Sequence, residues 1–125
     1  MKRLACALLA ASALITFAAP AFAQADPVES YCATLGRADH FASDGYPLDN
    51  AAAIIRQDRA NFHQFGKRDP SDENDSIFSR KANRARLEQM LRNGDISRSA
   101  ERAIVRGTPD ICVDVYDDFI NVTLL

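Results

Sequence analysis

Arg56, Asp58, Arg59 and His63, with Lys67 one turn further on, hold most of the chemistry this sequence offers. At 100° per residue, Asp58 falls in the middle of an apolar stripe of Ala51, Ile54, Ile55, Phe62 and Phe65. A carboxylate placed there needs a partner if it is to stay charged. The expected structural role of Asp58 is an ion pair or capping contact, with the arginines between 80 and 106 as candidate partners. The functional alternative is an acid whose pKa is raised by burial in a cleft. Arg56, Arg59, His63 and Lys67 fall together on one flank of the same helix. Such a strip can hold a phosphate or carboxylate laid across it, so these four are the candidate binding residues. The ordinary alternative is a solvated face offset by the acids of 69–75.

Other chemistries find less to use. Apart from His63 the sequence holds only His40 as a histidine, and neither has acids or thiols at ligand spacing, so no metal site is expected. An acid–base site of nuclease type, built from the two histidines and Lys67, is chemically permissible without being specified. The run Asp69 to Asp75 lacks the glycine and the spaced glutamate of a calcium loop, which leaves a charged, solvated connection. There is no G-x-S-x-G nucleophile motif, no phosphate-cradling glycine loop and no cofactor motif. Nothing in the sequence, Arg56-Gln57-Asp58-Arg59 included, places the chain in a known family.

Residues 1–23 have the order of a cleavable secretory signal: Met1-Lys2-Arg3, an apolar run from Leu4 to Ala19, and Ala21-Phe22-Ala23 as the cleavage site. The apolar run is too short for a membrane anchor. Cys6 precedes the apolar run, where a lipidated cysteine would follow it. Residues 24–125 then form one domain of 102 residues with a net charge of −4, and the product is expected in the periplasm or secreted. That balance argues against general nucleic-acid binding, and no second segment is apolar enough to span a membrane.

Two cysteines remain after cleavage, Cys32 and Cys112. In an oxidising compartment they are expected to form a disulfide, worth about 4 kcal/mol for a loop of this length in the chain-entropy model.

The elements that must position these groups are read from periodicity and caps. Asp26-Pro27 starts a first helix in which Val28, Cys32 and Leu35 recur at helical spacing, turning Cys32 inward, and Ser43 to Pro47 is a turn. The second helix runs from an Asp49 cap to a Gly66 stop. A third begins within the charged loop and ends at Asn93-Gly94, with a break near Arg86 or cover on two sides. A fourth spans Arg98 to Arg106 between Ser97 and Gly107. Ile111, Val113 and Val115 then alternate with polar residues, Asp117-Asp118 is a tight turn, and a second β segment follows. The expected class is α+β, mostly helical with about four helices and a small C-terminal β-hairpin.

Segment 80–106 carries eight basic residues against three acids, while the acids gather at 69–75 and 110–118. Charge so separated, together with small size and the lack of a catalytic motif, points to a non-enzymatic binding or inhibitor protein that meets another protein through charged surface. The alternatives are a small periplasmic hydrolase using Asp58 and His63, or an envelope-stress or structural component. Asp58 and His63 point to different sides of their helix, which weighs against the hydrolase.

Overall fold

Tyr31, Ala33 and Leu35 are buried while Cys32 and Thr34 between them are half-exposed, the two-residue alternation of a strand with one covered face. The first segment is therefore β1, Glu29–Thr34, and not the helix that the spacing of Val28, Cys32 and Leu35 predicts. Six residues are too few for their apolar spacing to separate the two periods, and pairing with a distant strand decides between them. Cys32 accordingly lies on the outer face of the sheet. A 3-10 turn, Arg37–His40, follows β1.

The computed structural model describes residues 13–20 and 25–125. Lys2-Arg3, Cys6 and Ala21-Phe22-Ala23, the expected cleavage site, lie outside the described residues. Residues 13–20 have no regular secondary structure and stand clear of the core, with Leu14 and Phe17 more than 90% exposed.

The remaining elements are α1 (Ala51–His63), α2 (Lys81–Asn93), β2 (Asp95–Ile96), α3 (Arg98–Arg106), β3 (Asp110–Val115) and β4 (Ile120–Leu124). The four strands make one mixed sheet in the order β1-β3-β4-β2, antiparallel except for the short parallel pair of β2 and β4. Among the described residues the architecture is α+β with three α-helices. This corrects the mostly helical expectation, in which the C-terminal hairpin was the whole of the β structure. That hairpin, β3 and β4, is the middle of a larger sheet whose edges come from elsewhere in the chain.

Tyr31, Ala33, Ile111, Val113, Val115, Ile120 and Val122 line the inner face of the sheet. They merge with Ala51, Ile54 and Ile55 of α1, Leu87, Met90 and Leu91 of α2, and Ile104 of α3 in one core. Burial of each large member is worth about 1.5–3 kcal/mol.

Helix boundaries follow local chemistry. Asn50, one residue past the expected Asp49, caps α1 by accepting a hydrogen bond from the Ala53 amide at 2.8 Å. Gly66, at φ +65°, turns the chain away beyond it. α2 starts at Lys81, later than predicted, because Phe78 belongs to a separate 3-10 turn, Ile77–Ser79. Its lack of a clean stripe is resolved without a break: Leu87, Met90 and Leu91 are buried, while Ala82 and Ala85 face out. α3 matches the sequence reading at both ends, with Ser97 Oγ accepting from the Ala100 amide.

Cys32 and Cys112 are directly opposed in the β1–β3 register and form a disulfide. It ties strand to strand, where the sequence reading had it pin the hairpin to a helix. The free edge of β1 is covered by segment 69–77. The Glu73 amide donates to the Cys32 carbonyl at 2.9 Å, and Asp72 Oδ1 accepts from the Thr34 amide at 3.0 Å. Glu29 in turn accepts from the amides of Ser76 and Ile77. An edge satisfied in this way offers no template for strand addition.

Candidate functional site

Arg59 is wholly buried, although it belongs to the flank predicted as a binding strip. Its guanidinium sits between two aromatic rings, 4.2 Å from the centroid of Tyr31 and 4.6 Å from that of Phe62. Nε donates to Asp58 Oδ2 at 2.7 Å, and Nη1 donates to Asp75 Oδ1 and to the Glu73 carbonyl, both at 3.0 Å. His63 Nε2 lies 2.7 Å from the same Asp75 oxygen, and Asp75 Oδ2 accepts from the Phe78 amide. Asp58 is buried as expected, but its partner is the neighbouring Arg59 and not an arginine of 80–106. Nor is the 69–75 connection wholly solvated, because Asp75 at its end is 1% exposed and holds both Arg59 and His63.

One guanidinium shared by two carboxylates cannot fully satisfy both. Asp75 accepts from Arg59, the Phe78 amide and His63, whereas Asp58 accepts from Arg59 alone. Burial pushes the Asp58 carboxyl up to about 7, against the opposing pull of Arg59. Asp39 is buried beside it, and burial raises its carboxyl to about 6 despite hydrogen bonds from Asn61 and the Gly36 amide. Burial also works against the charge on Arg59, but the carboxyls of Asp58 and Asp75 that accept its hydrogen bonds outweigh that and hold it protonated. The Tyr31 hydroxyl is raised well above its ordinary value by burial, so it stays neutral. Tyr31 Oη and Arg59 Nη2 are buried without a protein partner.

This cluster is a structural lock. Asp58 at 2% and Arg59 at 0% exposure give a substrate no approach, and His63 is spent on Asp75. The raised carboxyl of Asp58 is the signature sought for an acid catalyst, but here it lies in the interior and not in a cleft. The sequence did not single out Asp75, Asp39 or Tyr31. Asp75 had a usable signal: an aspartate three residues before Phe78, placed to cap that amide.

The remaining flank residues meet solvent elsewhere. Arg56 lines an open groove of about 590 Å3 between α1, α2 and the turn at 42–48, shared with Lys81, Arg84, Gln64 and Phe65. Lys67 lines a contiguous hollow of about 310 Å3 beside Phe41 and Phe65. Ala42, Ser43, Gln57 and Phe65 line both, so the two hollows adjoin as the two ends of one groove. Phe65, placed on the buried stripe by periodicity, is 44% exposed because it lies beyond the end of α1. The four predicted binding residues are thus divided, with Arg56 and Lys67 on the groove and Arg59 and His63 inside.

Arg84 is buried and donates to the carbonyls of Phe78 and Ser79, contributing positive charge to the groove without a carboxylate partner. Among the described residues, the ion pairs of arginine and lysine are those of Arg59 with Asp58 and Asp75, and His63 is hydrogen-bonded to Asp75. The arginines of 80–106 therefore stand unpaired by the acids elsewhere.

No family model, curated protein or solved structure matches this chain.

Proposed function

We propose that this chain is a non-enzymatic binding protein of an oxidising compartment outside the cytoplasm, the periplasm, and that it engages another protein through the cationic groove of α1 and α2. The observation that carries the reading is the groove itself: Arg56, Lys67, Lys81 and Arg84 line it, and none of them has a carboxylate partner among the described residues. Charge held apart in this way steers an oppositely charged partner and sets the orientation in which it docks.

The compartment is supported by the Cys32–Cys112 disulfide, a bond that persists where thiols oxidise. It is further supported by the exposed apolar segment 13–20, which adds nothing to the core and can be removed without loss to it. No helix among the described residues is long and apolar enough to cross a membrane. The hydrolase alternative has no comparable support, since its two candidate groups are locked in the interior.

The test uses immobilised residues 24–125 in periplasmic extract at low salt, beside an Arg56→Glu/Lys81→Glu variant. The wild-type protein is expected to retain a discrete partner, released as salt rises from about 0.1 to about 1 M and the screening length falls from ~10 to ~3 Å. The charge-reversed protein is expected to retain none. Equal retention by both, or by neither, overturns the reading.

A further inference from the structure

The groove has two unlike ends, and their chemistry restricts what fits. One end is cationic: Arg56, Lys81 and Arg84 stand over the acids Asp44 and Glu88. The other is apolar: Phe41 and Phe65 flank Ala38 and Ala42, and Lys67 is the charged residue of that hollow. Phe41 and Phe65 are 39% and 44% exposed, an area of ring that a partner would remove from water. Between the ends run the amides Gln57 and Asn61, bonded to each other at 2.9 Å, with Gln57 Nε2 also reaching Ser43 Oγ. The polar floor is thus held in place by its own hydrogen bonds, and the ends are left to make the selection.

We infer that the occupant is an extended acidic segment of a partner protein carrying one apolar side chain, its carboxylates along Arg56 and Lys81 and its apolar residue between Phe41 and Phe65. This inference rests on the protein-binding reading above and adds the chemistry of the partner. Guanidinium and ammonium groups that no carboxylate of the described residues pairs with, despite Asp44 and Glu88 in the same groove, favour carboxylates. Two half-exposed phenylalanines lining one hollow favour an aliphatic or aromatic anchor, the usual source of binding energy at the centre of an interface. A nucleic acid is disfavoured because the basic residues do not track a strand with interleaved aromatic platforms.

Fluorescence anisotropy with labelled five-residue peptides tests the inference. Glu-Glu-Leu-Glu-Glu is expected to bind at least about tenfold more tightly than Glu-Glu-Gly-Glu-Glu or Lys-Lys-Leu-Lys-Lys, tenfold being the worth of about 1.4 kcal/mol of anchor burial. Phe65→Ser should remove the advantage of the leucine peptide and leave the glycine peptide unchanged. Arg56→Glu/Lys81→Glu should weaken both acidic peptides. These side chains lie on the surface, and circular dichroism of each variant verifies that the fold is kept. Equal binding of the leucine and glycine peptides overturns the anchor. Equal or tighter binding of a thymidine pentanucleotide overturns the peptide assignment. If no peptide binds while charge reversal still abolishes capture of the periplasmic partner, this inference fails and the protein-binding reading stands. If charge reversal leaves capture unchanged, that reading fails whatever the peptides do.

Discussion

Asp58 and Asp39 are expected to make the stability of this domain run opposite to the usual effect of acid. Both carboxyls are raised in the folded protein, Asp58 to about 7 and Asp39 to about 6, from an ordinary value of 3.8. Between pH 4 and 7 the folded state therefore binds more protons than the unfolded chain. Stability must then fall as pH rises through that window and level off above it. From pH 8 to pH 5, Asp58 contributes about two units of differential protonation and Asp39 about one. At ~1.36 kcal/mol per unit this is a gain of roughly 4 kcal/mol at the acid end. Asp58→Asn imitates the protonated acid and keeps an oxygen to accept from Arg59 Nε. It should be more stable than the wild-type protein already at pH 5, where the unfolded wild-type chain is still ionised at Asp58. Its advantage should grow by roughly 3 kcal/mol between pH 5 and pH 8, the amount by which the pH-dependent gain is reduced. Urea unfolding followed by circular dichroism at pH 5, 6.5 and 8, with the disulfide intact, measures each quantity. Wild-type stability that rises with pH over this range, or an Asn variant with the same slope, refutes the account of the buried cluster.

Asp58→Ala removes the acceptor as well as the charge, leaving Arg59 Nε unpaired in the interior. It should cost about 1–3 kcal/mol relative to the Asn variant at pH 5, measured by the same unfolding assay. Reduction of Cys32–Cys112, or replacement of both by serine, should lower stability by about 4 kcal/mol and shift the urea midpoint accordingly. Gly94→Ala should destabilise by several kcal/mol or prevent folding, because a Cβ there would stand 1.8 Å from the Ile120 carbonyl oxygen. A melting temperature within a degree or two of wild type would show that the α2–β2 corner can relax. Ser97→Ala should cost about 1 kcal/mol through loss of the α3 cap, read as a small drop in melting temperature.

Local signals located α3, the turn at 43–47 and the β3–β4 hairpin, where caps, glycines and alternation all agree. They also showed that Asp58 faces inward. What they could not show was set at long range. Whether Glu29–Thr34 becomes strand or helix is decided by β3, some eighty residues away, and β2 is only two residues long. The partner of Asp58 was missed for a related reason. The helical wheel puts Arg59 on the flank, but its long side chain folds inward between Tyr31 and Phe62 and meets an acid from a loop with no periodicity to read. The groove was half legible: Arg56 and Lys67 came from the flank, while Lys81 and Phe41 joined it only once α1, α2 and the turn were brought together.

The strand order carries a consequence for how the molecule is made. Among the described residues β1 is the earliest strand, and the strand it pairs with is built from residues 110–115. Until those residues are available, Tyr31 has no sheet to join, Arg59 lacks the ring that lies beneath it, and the Cys32 thiol has nothing to oxidise against. A nascent chain thus stays unable to complete its core through most of its synthesis, so the closing of the sheet, the seating of Arg59 and the joining of the two sulfurs all wait for the last sixteen residues.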